Sequence, residues 1–586
     1  MKKNLIYISI IVFLISSCQK ILSPADQNNF LLGDIDNNAP YAEGLLLNGY
    51  ARLPLALGNY SFDDVATDDA VANDPSNKFL LMATGQWSSI NNPMDQWTGG
   101  FAAIQYLNQI LQKTDDVNWA TTGQYTKEMF NDRTKGEAYG LRGLFMYYLL
   151  QAHGGWADDG RLLGVPILTQ LIDGQSDFKI PRNTFSECVT KIYSDLDSAE
   201  YFLPLDFEDI SSVNQIPQRY AGKTTVSDYN RVFGAFNRQR LTDRIVKGIR
   251  AQVSLLAASP AYNQGTSVTW TKAADDAAAV LDLIGGVSGL ASNGNIWYAS
   301  SNSAEINSLS QGINPKEILW RGNVANSSSL ESSIYPPTLY GKGLVDPTQN
   351  LVDAFPTVSG YPITDANSGY DPANPYNNRD PRLGLYIVVN GSKMGPSQST
   401  VYTEVGTSND GLNAISTSTR TGYYMRKLVR EDVNINPTRT NTQKHYTPFI
   451  RYTELFLDYA EAANEAWGPD GSGSHGYSAR DVIAAIRERG GISQPDNYLA
   501  SITDKNAMRE LIHNERRIEL CFEGFRFWDL RRWKEPLTDP AYGVSIVNGI
   551  YTINAVENRQ YTDYMYYGPV PYNDVLRENL VQNKGW

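Results

Sequence analysis

Cysteine occurs three times and histidine four times in this chain of 586 residues. So few soft ligands, with no Cys-x-x-Cys pair, exclude the common structural zinc motifs and argue against any transition-metal site or metal cofactor. Cys188 and Cys521 each fall in a stretch that reads as helix, where a free thiol behaves as a small buried hydrophobe. Nothing in their spacing supports a disulfide. Charge is sparse too: Asp, Glu, Lys and Arg make up 19% of the residues, and acids outnumber bases enough to leave a net charge of -13. A surface of that sign repels phosphates, which excludes nucleic acid and anionic lipid as ligands. Long apolar runs are also missing. The one exception, Leu5 to Ile15, is shorter than the roughly 20 residues that a membrane-spanning helix needs.

That run follows the basic Met1-Lys-Lys-Asn4 and ends in Leu14-Ile15-Ser16-Ser17-Cys18. Residues 1–17 therefore read as a signal peptide. The small residues before Cys18 resemble the lipobox of bacterial lipoproteins, in which the cysteine is acylated and becomes the mature N-terminus. Polar residues follow at once, as a tether over 18–35 requires. The expectation is a protein anchored to a membrane by lipid at Cys18 and not spanning it.

The rest of the chain is rich in aromatics, with 36 Tyr, 19 Phe and 11 Trp, and its apolar content suffices for a sizeable core. Apolar residues recur at helical spacing over 40–57, 95–113, 125–152, 184–203, 244–259, 271–284, 449–467 and 479–489. Asn183 and Thr184 are cap candidates for the fourth of these, and Gly154-Gly155 closes the third. From 63 to 92 the pattern dissolves into Asp, Asn, Ser and Gly, a long irregular loop. Between about 287 and 445 the helical period is lost again. Only short strand-like pieces interrupt it, such as 317–320 and 385–389. The tail after 533 reads as loop-rich. The fold expected is mainly α: helix pairs form a scaffold over about 36–286 and 446–586, and a loop-rich insert over about 287–445 carries short strands. All of 36–586 would be one domain.

One helical stretch, 508–530, stands out because Glu515 and Glu519 share its apolar face with Met508, Leu511, Ile512, Ile518 and Phe522. Buried carboxylates need paired, hydrogen-bonded partners. The expected partners are among Arg516, Arg517, Arg526, Arg451 and Arg487. Two acids four residues apart on a helix have Cβ atoms about 5–6 Å apart, close to the separation in a retaining glycosidase. A catalytic pair must flank an open cleft, however, and this one is set in an apolar face crowded with arginine. Structural ion pairing is the reading adopted, and no catalytic residue is assigned. Arg142, Arg379, Arg382 and Arg451 are read the same way. For Asp68-Asp69 a capping role is as good a reading as any.

Several motifs resemble those of one family. Glu137-Ala-Tyr-Gly-Leu-Arg-Gly-Leu-Phe-Met-Tyr-Tyr-Leu-Leu150 with Gly154-Gly155, Leu351-Val-Asp-Ala-Phe355 and Asn378-Arg-Asp-Pro-Arg-Leu383 are similar to motifs of the SusD/RagB family. So are Ile450-Arg-Tyr-Thr-Glu-Leu-Phe-Leu-Asp-Tyr-Ala-Glu-Ala-Ala-Asn-Glu465, Asn514-Glu-Arg-Arg-Ile-Glu-Leu-Cys-Phe-Glu-Gly-Phe-Arg526 and the close at Tyr567-Gly-Pro-Val-Pro571 and Gln582-Asn-Lys-Gly585. Lys584 departs from the proline usual there, and 156–161 is an insertion. The resemblance implies tetratricopeptide-like helix pairs and a lipoprotein of the outer membrane, exposed at the cell surface. It also implies a role in capturing oligosaccharide for a partner TonB-dependent transporter, a SusC-like barrel.

A sugar ring offers an apolar face for stacking and hydroxyls for planar polar groups. Aromatics that persist where helical order fails are therefore the candidate ligand-binding residues: Trp87 with Asn91 and Asn92, Trp297 with Tyr298, and Tyr335. Trp320 ends an apolar run and could equally be core. The alternatives are a peptide-binding member of the same family, a glycoside hydrolase and a purely structural assembly partner.

Overall fold

Side chains three and four apart line one face of each helix, and burial of those faces against one another assembles the scaffold. The computed structural model describes residues 32–54, 60–172, 178–309 and 312–586; the signal segment, Cys18 and most of the 18–35 tether lie outside them. The scaffold helices are α1 (Ala39–Ala51), α2 (Trp97–Lys113), α3 (Gln124–His153), α4 (Phe185–Phe202), α5 (Val226–Phe233), α6 (Asp243–Ala258) and α7 (Trp270–Leu281). After the insert come α8 (Tyr452–Trp467), α9 (Ala479–Gly490), α10 (Lys505–Leu520) and α11 (Arg526–Trp533). Neighbours in sequence pack as pairs, α1 on α2, α2 on α3, α3 on α4, α6 on α7 and α8 on α9, while α8 also packs on α7 and closes the scaffold across the insert.

Local chemistry explains the boundaries. The Thr184 hydroxyl accepts from the Glu187 amide and the Glu187 carboxylate answers the Thr184 amide, a reciprocal cap that starts α4. On α3, Gly136, Gly140 and Gly143 face Leu203, Ala199 and Leu196 of the next segment so closely that an added Cβ at Gly136 would lie 2.6 Å from Leu203 Cγ. The small residues are what let α3 and α4 approach.

The sequence expectations are corrected at four places. The helix read over 40–57 ends at Ala51, and α5 lies between 203 and 244, where no element was expected. The stretch read as one run from 508 to 530 is two helices, broken where Phe522 and Gly524 turn into the left-handed region (φ 63° and 83°) and the Phe522 amide donates to Asp64. The strand-like piece read over 385–389 holds only at Ile387–Val388, because Leu385 and Tyr386 close a short helix, Pro381–Tyr386.

The insert packs into a second core together with the 65–94 segment and residues from 518 onward. Strands β1 (Ile318–Arg321), β2 (Ala325–Ser327), β3 (Gln443–His445) and β4 (Pro448–Arg451) form two antiparallel ladders, β1 with β4 and β2 with β3. In the tail, β5 (Ala541–Val547) and β6 (Ile550–Glu557) form a hairpin across Asn548-Gly549. Buried apolar residues form two clusters, one in the scaffold and one shared by the insert, the 65–94 segment and residues 518–565. α10 joins them: Met508, Leu511, Ile512 and Leu520 belong to the first cluster, and Ile518 and the following Cys521 and Phe522 belong to the second.

Between the clusters lies a buried ion network. Glu515 accepts from Arg487 (2.7 Å) and Arg382 (3.0 Å). Glu519 accepts from Arg489 (2.6 Å) and Arg382 (3.2 Å), and Arg451 sits 3.8 Å away. Both carboxylates are fully buried. Burial would raise the Glu519 carboxyl, but Arg489, Arg382 and Arg451 hold it below its ordinary value. Ion pairing is thus their role. Arg516, Arg517 and Arg526 are not the partners: Arg516 pairs with Asp458 and Asp529, while Arg517 and Arg526 grip Asp68, with Arg517 also on Asp69. Asp68-Asp69 is therefore an ion-pair anchor between the 63–92 segment and α10–α11.

An aromatic-walled candidate binding cavity

Trp297 and Tyr298 follow a turn at Gly294–Ile296, which is held by Tyr386 Oη donating to Asn295 O at 3.0 Å. Tyr446 lies between β3 and β4, and its ring centre is 5.2 Å from that of Trp297. Tyr60 and Phe62 come from the far end of the chain. Phe62 has φ 51°, a left-handed conformation that bulky residues rarely adopt. It folds the chain back so that the two rings stack at 5.7 Å. Together these five aromatics line a cavity of about 490 Å³. The β2–β3 ladder supplies another part of the wall, with Lys444 opposite Asn326 and His445 opposite Ala325.

The rings play different parts. Trp297 is 2% exposed and Tyr446 5%, so they offer edges, whereas Tyr60 and Phe62 are only half-buried and offer ring surface. Trp297 Nε1 and Tyr446 Oη are buried without a hydrogen-bond partner. A buried unmatched donor costs about 1–3 kcal/mol, which a ligand oxygen would recover. Asn323 and Asn326 are exposed at the rim. Burial alone would lower the His445 imidazole, but the Glu331 carboxylate, 2.9 Å from Nε2, outweighs it and raises it above the ordinary histidine value.

The other sequence candidates lie elsewhere. Trp87 is 5% exposed and packed edge-on against Trp586, Phe527 and Tyr561 at 4.8, 5.9 and 6.1 Å. Its Nε1 donates to Asn92 Oδ1, which also caps the Met94 amide. Asn91 turns back onto Gln86 O. These three form a structural knot, because Trp87 fills a core left open by the C-terminal segment. Tyr335 is also core: it is buried and donates to Arg430 O at 2.9 Å. Trp320 is buried too and donates to Gln239 O. Of the residues named from sequence, only Trp297 and Tyr298 line the cavity. Tyr60, Phe62 and Tyr446 were missed. Their one sequence signal was an aromatic pair two apart, Tyr60-Ser-Phe62, beside a polar loop.

Among the described residues no helix is long and apolar enough to cross a membrane. Two sequence models match the chain: one described as the SusD family over residues 296–586, and one described as "Starch-binding associating with outer membrane" over 49–228. SusD-like protein P38 of Formosa agariphila is 33% identical over 106 residues, 17% of this chain and 19% of that protein. SusD-like protein P25 of the same organism is 32% identical over 110 residues, 19% of each. The matched stretch thus spans about a fifth of the curated relatives' length.

The fold is shared much further. A crystal structure of a SusD-like protein from Bacteroides fragilis has a TM-score of 0.70 at 21% identity, covering 96% of this chain and all of that one. A "SusD-like carbohydrate binding protein" from the same species has 0.67 at 20%, covering 92% and 98%. A SusD superfamily protein from Parabacteroides distasonis has 0.60 at 18%, covering 93% and 99%. With sequence models of this kind matching residues 49–228 and 296–586, which together make up most of its length, the chain belongs to the SusD/RagB family.

Proposed function

We propose that the protein is a cell-surface glycan-binding lipoprotein. It is anchored in the outer membrane through Cys18 and passes captured oligosaccharide to a partner TonB-dependent transporter. It is not an enzyme in this reading. The carrying observation is the cavity walled by Tyr60, Phe62, Trp297, Tyr298 and Tyr446, which combines ring surface with free amides and unmatched donors. That is the mixture a sugar requires. The descriptions "Starch-binding associating with outer membrane" and "SusD-like carbohydrate binding protein" support the same ligand class.

The test is calorimetry of the purified protein against a glycan panel and a peptide library. Tyr60→Ala removes one stacking face, worth about 1 kcal/mol, and should weaken a glycan hit several-fold without release of shorter products over hours. Peptide binding with no glycan binding would transfer the cavity to the peptide-binding branch. Product release would make the protein a hydrolase.

A further inference from the structure

Among the described residues, the ionisable side chains lining this cavity, apart from its phenols, are Arg430, Lys444 and His445, and no carboxylate lines it. In an acidic chain that is a departure. Two other sizeable cavities are lined by both signs, one with Asp206, Glu208 and Glu305 among its arginines and one with Glu454, Asp458 and Asp529.

The charges behind the wall decide what remains unneutralised. Arg430 is held by Asp432 through two hydrogen bonds of 3.0 and 2.8 Å, and His445 by Glu331. Lys444 differs: its Nζ donates to the Asn307 carbonyl at 2.9 Å and has no carboxylate partner among the described residues. Behind Tyr446, the Arg321 guanidinium lies 5.6 Å from the ring centre and donates to the carbonyls of Gly322 and Ile313. Lys444 thus lines the cavity without a matched anion, with the Arg321 guanidinium buried behind the Tyr446 ring, beside two unmatched donors, Trp297 Nε1 and Tyr446 Oη. Glu305, the carboxylate that acts most strongly on the Tyr446 phenol, is bonded to the neutral amide of Asn293 and does not line the cavity.

We infer that the cavity selects an acidic oligosaccharide, with a sugar carboxylate or sulfate ester at Lys444 and the ring it decorates against Tyr60 and Phe62. The inference rests on the glycan-binding reading above and names its substrate class. A cation without a carboxylate partner favours an anion over a neutral hydroxyl because the anion adds the Coulomb attraction of an ion pair to the hydrogen bond that either acceptor can receive.

The experiment compares matched probes on the full-length protein: oligogalacturonate against its methyl ester, and sulfated against desulfated carrageenan oligosaccharide. The charged member of at least one pair should bind about tenfold tighter and weaken as salt rises. Preference in the first pair identifies a carboxylate and in the second a sulfate. Lys444→Gln should bring the charged probe down to its neutral partner, and Lys444→Arg should keep the preference. Equal affinity within both pairs, still weakened by Tyr60→Ala, overturns the inference and leaves the glycan-binding reading intact. No binding of any glycan, or displacement only by an acidic peptide, overturns both.

Discussion

Replacing Glu519 with glutamine should destabilise the protein and leave its ligand affinity unchanged. The side chain is nearly isosteric, so no cavity opens and the loss is electrostatic. In the wild type the carboxylate accepts from Arg489 at 2.6 Å and Arg382 at 3.2 Å, with Arg451 at 3.8 Å. Glutamine keeps one acceptor and turns an NH2 toward a guanidinium, donor against donor. Removing one partner of a buried ion pair costs about 3–5 kcal/mol. Arg382 keeps Asp380 and Glu515, Arg451 keeps Glu317 and Glu523, and Arg489 keeps Glu317 at 3.6 Å, so the loss should fall near the lower end, about 3 kcal/mol.

The entropy of unfolding, about 2 cal/mol/K per residue, sums to about 1 kcal/mol/K for a chain of this length, so Tm should drop by about 3 °C. Calorimetric melting of the wild type, Glu519→Gln and the control Asp159→Asn measures it. Asp159 pairs with Arg161 in the open, both side chains about half exposed, and its removal should not move the transition. Glu519→Gln melting within 1 °C of wild type would refute the structural assignment. So would an unchanged Tm with lost ligand binding, which would place the carboxylate in a functional site.

Four further outcomes are expected. Gly136→Ala should destabilise by about 1–2 kcal/mol, because the clash with Leu203 and Phe202 exceeds the helix-propensity gain. Gly44→Ala, with open space around its Cβ, should stabilise by up to about 1 kcal/mol; urea midpoints read both. Burial pulls the His513 imidazole from 6.5 down to about 4 against the opposing charge of Glu461, and Glu535 at 3.9 Å is too far and too solvated to reverse it. The unfolded chain then takes up a proton that the folded one refuses, so stability should fall by about 2 kcal/mol from pH 7 to pH 5 and level off below about 4. His513→Phe keeps the ring stacked on Trp533, 3.6 Å away, and should flatten that slope in urea midpoints at the two pH values. Cys18→Ala should leave the protein unprocessed or released from the membrane fraction; a mature, membrane-bound variant would defeat the lipid-anchor reading.

Most scaffold helices were legible because their signals are local: a 3.6-residue period, the Thr184–Glu187 cap, and glycine or proline at the ends. The β5–β6 hairpin was not read, although its turn is signalled locally. Asn548-Gly549, with φ of 52° and 75°, is a strong short-range hairpin signal, yet the tail was read as loop because the outward-facing β6 lacks an apolar alternation: Ile550 and Ile553 are both exposed. The break after α10 was harder. Its left-handed turn falls on Phe522 rather than on a residue that advertises one, and it is supported by Asp64 from the other end of the chain.

By itself the sequence determined the helical scaffold, the position of the irregular insert, the need of Glu515 and Glu519 for cations, and the family that its motifs resemble. Only the tertiary structure decided which cations answer. Arg382 and Arg489 reach Glu519 because the insert and α9 pack on α10, and no periodicity encodes that meeting. It also decided which aromatics line a cavity. Trp87 and Trp297 look alike as loop tryptophans, but Trp87 is sealed by Phe527, Tyr561 and Trp586, while Trp297 is joined by Tyr60 and Phe62 across an open volume. Whether a side chain faces a void or a partner depends on residues hundreds of positions away, and burial is set by that long-range packing.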